Sequence, residues 1–212
     1  MIPDDDLFGS NGPVQRHARG GLREFVRSRD GTAAIEFALL AIPYFLIVFA
    51  IIETFVAFTA EQVVSNAVDT LSRQIRTGQI SVDPNKSSYT TKGAFRQKFC
   101  NEIAVLITCS PTEVANPANL YLDVESYTNF ASMPTTIPRK SSTDPYSDLN
   151  DTGFAFAPGG PKTSNMVRAY YRWQIITDLM RPYLSNIRPA DGSMPTTYLI
   201  VATAAFQNEN FP

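Results

Sequence analysis

The chain has 212 residues, enough for one domain of ordinary size plus an anchoring segment. Apolar residues make up 44% and charged residues 18%, a globular balance. The formal net charge of -2 argues against a nucleic-acid binder, which would present a basic face.

The charge is unevenly placed along the chain. Residues 1–15 hold Asp4, Asp5 and Asp6 and no Lys or Arg. Residues 16–30 hold Arg16, Arg19, Arg23, Arg27 and Arg29 against Glu24 and Asp30. Lys and Arg are then absent until Arg73. An uninterrupted apolar run (FALLAIPYFLIVFAII) fills residues 37–52, and past Glu53 it continues as TFVAFTA. The whole stretch is about 24 residues, and a bilayer core of roughly 30 Å needs about 20 residues of helix. Glu53 lies near the far end of the run, where it can snorkel to the interface. The arginines ahead of the run orient the span with its N-terminus in the cytoplasm. A secretory signal peptide fits less well, because the apolar stretch is too long and no A-x-A site closes it.

At the junction of tail and span stands Gly31-Thr32-Ala33-Ala34-Ile35-Glu36-Phe37. An acid at the membrane edge of an apolar helix costs a few kcal/mol or less by insertion scales, so Glu36 needs a reason. One reason is a place among the headgroups, where the helix dipole favours an acid. The other comes from likeness: G-x-x-x-x-E-F before an apolar helix resembles the processing site of type IV prepilins and pseudopilins. The resemblance implies a cut after Gly31 by a membrane-embedded prepilin peptidase, Thr32 as the new N-terminus, and Glu36 as the acid that pairs with the amine of a neighbouring subunit. Phe37 and Pro43 complete the assembly segment. Pro43 interrupts the helix, where it acts either as a tolerated kink or as the proline that pilin-like helices carry in their first half.

The run RDGTAAIEFALLAIPYFLIVFAIIE, the helix end LSRQIRTGQI, the pair Cys100 and Cys109, LYLDVESYTNF and VRAYYRWQI together resemble the TadE/TadG-like family of tight-adherence pilus proteins. The resemblance implies a pilin-like component of a Flp-type pilus machine in the bacterial inner membrane, with an exported periplasmic head. Its implied partners are membrane lipid, the prepilin peptidase, other pilin-like subunits and the pilus assembly platform. Neither a nucleic acid nor a small-molecule substrate is expected.

Beyond residue 60 the helix changes character. Val64, Ala67, Val68, Leu71 and Ile75 form one apolar stripe on a 3.6-residue period, and Glu61, Asn66, Asp69, Arg73 and Arg76 occupy other faces. Gly78 is the expected stop. Residues 32–77 can thus form one helix of roughly 70 Å, at about 1.5 Å per residue. The domains follow: a cytoplasmic basic leader 1–31, a transmembrane helix 32–60, an amphipathic extension 61–78 and an exported head 79–212.

In the head, residues 91–106 read as a second helix with Phe95, Phe99, Ile103 and Leu106 on its buried face. Two cysteines in an exported domain usually pair, so Cys100 and Cys109 are expected as a disulfide, with two free thiols as the alternative. A zinc site is not expected from two cysteines and no exported His. Three strands follow, at 120–125, 167–175 and 198–206, the last being the most apolar and expected at the centre of the sheet. Between the first two lies a polar loop of nearly forty residues, 129–165, rich in Pro and Gly. A short helix broken at Pro182 is expected in 178–188. The fold class is α+β: a long N-terminal transmembrane and amphipathic helix with a small antiparallel-sheet head.

No catalytic constellation emerges. The sole histidine, His17, lies in the cytoplasmic tail, and no G-x-S-x-G, H-E-x-x-H or phosphate loop is present. Asp123 and Glu125 share a strand face and read as a solvated edge rather than an acid–base pair. The protein is expected to be no enzyme and to need no cofactor. The competing reading is an uncleaved single-pass inner-membrane protein whose periplasmic head binds a ligand or partner.

Overall fold

The computed structural model describes residues 29–189 and 191–211. The leader expected at 1–31 lies almost wholly outside the described residues. The chain divides into two compact units, Met1–Ile47 and Val48–Pro212.

In the first unit the described backbone is the start of a helix, α1, which spans Arg29–Arg76. Residues 33–40 are exposed throughout, with large apolar side chains at Ile35, Phe37, Leu39 and Leu40. Pro43 lies inside α1 without ending it. A helix apolar on all sides and uncovered by protein suits lipid as its solvent.

In the second unit α1 acquires a buried side. Ala57, Ala60, Val64, Ala67, Val68, Leu71 and Ile75 are all buried, as the 3.6-residue period demands of one face. α1 ends where expected. Gly78 adopts φ 74° and donates its N–H to Ile75 O at 3.0 Å. A Cβ there would also meet the Phe211 ring at 2.6 Å, so both the left-handed backbone and the close approach call for glycine.

The second helix, α2, spans Lys92–Ile103, with Thr91 as N-cap accepting from the Ala94 N–H at 3.2 Å. It buries Phe95, Phe99, Cys100 and Ile103. Leu106, expected on that buried face, lies past the helix end and is exposed. Cys100 and Cys109 are disulfide-bonded with Cα atoms 5.7 Å apart. A short helix α3 follows at Pro111–Ala115, capped by Ser110.

Strands β1 (Leu120–Tyr127), β2 (Phe156–Ala157), β3 (Ser164–Gln174) and β4 (Thr197–Gln207) form one sheet in the order β2-β1-β3-β4. The three long strands are antiparallel; the two-residue β2 runs parallel to β1, which makes the sheet mixed. β4 is an edge strand, not the central one its apolar sequence suggests. Its apolar character has another cause: Ile200, Ala202, Ala204 and Phe206 face the core built on α1, while Leu199 and Val201 face the opposite core. The Asn186 carboxamide partly closes that edge, accepting from Leu199 N–H at 2.6 Å and donating to Leu199 O at 2.9 Å. The helix near Pro182, α4, spans Arg181–Leu184; the proline sits in its first turn and starts the helix rather than breaking it.

Two cores result. The larger lies between the sheet and α1 with α2, and includes Val64, Leu71, Ile75, Phe95, Phe99, Leu120, Val124, Val167 and Ile200. The smaller lies on the other face, where the long loop covers Leu149, Tyr170, Ile187 and Leu199. Leu71 is 1% exposed at the centre of the helix stripe. Leu71→Ala is expected to lower the unfolding free energy of the head by about 2–5 kcal/mol, the usual cost of such a cavity. Thermal or denaturant unfolding of the full chain in detergent measures it.

Candidate functional site

The functional residues expected from sequence fall on α1. Gly31 and Thr32 lie in its first turns, and only their backbone is described. Glu36 and Phe37 are adjacent and exposed. Glu36 forms no hydrogen bond or ion pair among the described residues. Its carboxylate thus stands among Ile35, Phe37, Leu39 and Leu40 with no counter-charge there. A charge in such surroundings requires a partner once water is removed.

Farther along, two acids join α1 to the head, and sequence reading missed both contacts. Glu53 does not simply snorkel: its carboxylate accepts the backbone N–H groups of Ile176 and Thr177, the latter at 3.0 Å. Glu61 accepts a hydrogen bond from Tyr198 Oη at 2.9 Å. Neither partner is near in sequence, so no local pattern could reveal it.

The loop-covered face of the sheet holds a second constellation. Asp123 and Arg168 are direct cross-strand neighbours of β1 and β3 and form a buried ion pair at 2.8 Å. Asp123 also accepts from Ala155 N–H at 3.2 Å, and Arg168 donates to Thr136 O at 3.4 Å. The expected solvated edge is therefore wrong for Asp123. The loop 129–165 folds over it and uses the pair as its clasp. Glu125 instead accepts from Tyr127 Oη at 3.0 Å, and these two residues are only partly buried. At the loop's rim, burial alone would raise the Asp148 carboxyl. Hydrogen bonds from Lys140 and the Leu149 N–H, with the charge of Arg172, hold it below its ordinary range.

Beside the clasp opens a cavity of about 490 Å³, walled by Met133, Ile137, Met166, Tyr170 and Val201. Tyr170 Oη and Arg168 Nε are buried there without a hydrogen-bond partner among the described residues. Glu113 plays a different, local role. Its Oε1 gathers the N–H groups of Ala118, Asn119 and Leu120 at 3.0, 2.7 and 2.6 Å and so sets the entry into β1.

The comparisons with known proteins bear on α1. A family model described as TadE-like protein matches residues 31–73. Over this stretch the chain is similar to that family. The match takes in Gly31, Glu36, Pro43 and most of the buried stripe, about a fifth of the chain, and ends before the disulfide and the sheet. The matched stretch lies on a helix long and apolar enough to cross a membrane. No curated protein and no solved structure matches the chain.

Two outcomes follow for the head. Asp123→Asn leaves the Arg168 charge buried and uncompensated, and is expected to cost about 3–5 kcal/mol. Replacing both residues, as Asp123→Leu with Arg168→Met, is expected to cost clearly less; denaturant unfolding of the three proteins compares them. The second outcome concerns alkaline pH. Burial pushes the Tyr198 and Tyr127 phenols up to about 12, helped by their hydrogen bonds to Glu61 and Glu125, and burial does the same for Tyr170. An unfolded tyrosine titrates near pH ~10. Between about pH 10 and 12 the unfolded chain loses phenolic protons that the folded chain retains, so stability falls as pH rises through that window. Tyr198→Phe is expected to make the fall shallower, as read by chemical unfolding at successive pH values.

Proposed function

We propose that this protein is a minor pilin-like (pseudopilin) component of the tight-adherence pilus machine, with a structural rather than catalytic role. The single observation that carries the reading is Glu36: a carboxylate unpaired among the described residues, in the exposed stretch 33–40 that opens the apolar run of α1, five residues past Gly31 and inside the TadE-like match. In lipid that carboxylate needs a positive partner at its own depth. Cleavage after Gly31 by a prepilin peptidase creates such a partner, the Thr32 amine of a neighbouring subunit.

α1 then has two tasks. Its apolar first part crosses the inner membrane with the arginine-rich tail in the cytoplasm, and later packs among the helices of other pilin-like subunits. Its second part, from Ala57 to Ile75, is the spine of the exported head. Phe37 and Pro43 lie in the helix–helix contact zone. The assembly platform and the other subunits are the partners on this reading, and membrane lipid is the solvent before assembly.

The cavity beside Tyr170 favours a second reading, an uncleaved anchored protein whose head binds a ligand. The mass of the mature protein separates the two. A chain beginning at Thr32 in cells with active prepilin peptidase is the result expected for a pilin-like subunit, and an intact Met1 there would favour the anchor. Glu36→Leu is expected to leave membrane insertion and head stability unchanged while abolishing piliation. Normal piliation and normal co-purification with pilus subunits in that variant would end the assembly role.

A further inference from the structure

We propose that residues 175–184 form a membrane-interface foot, which inserts Ile176, Leu179 and Tyr183 into the headgroup–acyl boundary of the bilayer that α1 crosses. The inference rests on the reading of α1 as a membrane anchor.

Exposure of the segment is the first observation. Ile176 is 82% exposed, Tyr183 79% and Leu179 50%, and Met194 nearby is 53% exposed. Large apolar side chains left uncovered this close together on a soluble head are costly in water, and grouped exposure of this kind marks a contact surface. β3 and β4, on either side of the segment, bury apolar side chains on both faces. Val105 and Phe130 elsewhere on the head are also exposed, at 82% and 53%, but neither is tied to the apolar run of α1 as this segment is by Glu53.

Position is the second observation. Glu53 holds the N–H groups of Ile176 and Thr177, which pins the start of the segment to one turn of α1. That turn lies inside the apolar run, just ahead of Ala57, the first fully covered residue of the stripe. Phe55 and Phe58, on the uncovered side of α1 at the same level, are 71% and 58% exposed. Apolar side chains thus surround the helix axis at this height: phenylalanines on one side and the segment on the other. The boundary between lipid and head falls here. The contact also explains an acid within the run, since two backbone N–H groups satisfy the Glu53 carboxylate and the Arg181 charge acts on it from the same segment.

Shape is the third observation. Arg181 donates from Nε to Ile175 O at 3.3 Å, pairs with Asp178 at 2.8 Å, and lies 3.9 Å from Met194 Sδ. These contacts draw Ile175, Asp178 and Met194 around Arg181, so the stretch that carries Ile176, Leu179 and Tyr183 is closed on itself. Tyrosine with flanking charged groups is the composition that favours the water–bilayer interface. Lipid is therefore the occupant that fits: it is already at this height, it needs no shape complementarity, and it accepts a mixed apolar and phenolic surface.

The experiment uses the full chain, isotopically labelled, in phosphatidylcholine nanodiscs. A minority of lipids carry a nitroxide either on the headgroup or deep in the acyl chain. Headgroup label is expected to broaden the amide signals of residues 176–184 severely. It should leave those of Tyr127, Ser164 and Gln207, at the opposite end of the sheet, unaffected. Acyl-chain label is expected to broaden Leu40 and Ile42. If Leu40 and Ile42 stay sharp, the anchor reading fails and the foot with it. If they broaden while residues 176–184 match the distant residues under headgroup label, the foot alone is overturned. Ile176→Asp combined with Tyr183→Asp, both outside the cores, is expected to restore the signals of the segment. Unchanged broadening in that variant would likewise overturn an insertion driven by these side chains.

Discussion

Burial of one side of α1 is the contact on which the head depends. Val64, Ala67, Val68, Leu71 and Ile75 leave water only if something covers them, and the inner face of the sheet is what does so. Each large side chain of that stripe contributes about 1.5–3 kcal/mol when fully covered. Ala57, Ala60 and Ala67 leave room for close approach of neighbouring elements. Glu53 and Glu61 then fix the register, since each reaches a polar group of the head that lies more than a hundred residues away in sequence. One helix therefore has two surroundings: its apolar side chains stand uncovered along its first part and are covered by protein along one side of its second. The change between them is sharp because it is set by which side chains the sheet can reach.

The second organising contact is the Asp123–Arg168 pair. Taken alone, a buried ion pair is weak evidence of stability, because desolvation offsets much of the attraction. Here its effect is positional. Both groups also bind backbone of the long loop, at Ala155 and Thr136, so the loop closes over the outer face and Tyr170 becomes fully buried. A Pro/Gly-rich stretch that has little regular structure of its own is thereby held as a second layer.

Legibility from sequence varied with the range of the interaction involved. The stripe of α1 and the glycine stop at Gly78 are set by residues within a few positions of one another, and they appear where the pattern places them. The α+β class and the three long strands were equally readable, because alternation is local. The place of β4 was not. An apolar strand can be central, or it can be an edge with both faces covered, and one strand's composition does not separate the two cases. Asp123 misled for the same reason: an acid read as a solvated edge became buried when the loop covered it. Glu36, by contrast, was legible as an anomaly, since an acid at the head of an apolar run is costly whatever the fold.

By itself, the sequence determined that a long apolar helix leads into an amphipathic one, that a basic tail precedes it, and that an acid, Glu36, stands at the head of the apolar run. Those are properties of side-chain chemistry and of the 3.6-residue period, and they need no distant contact. Only the tertiary structure decided that Glu53 holds the 176–177 backbone, that Asp123 is a clasp rather than a solvated acid, and that Ile176, Leu179 and Tyr183 are left uncovered beside the helix. Each of these joins or exposes residues far apart along the chain, and chain closure over such distances is settled by packing rather than by local preference.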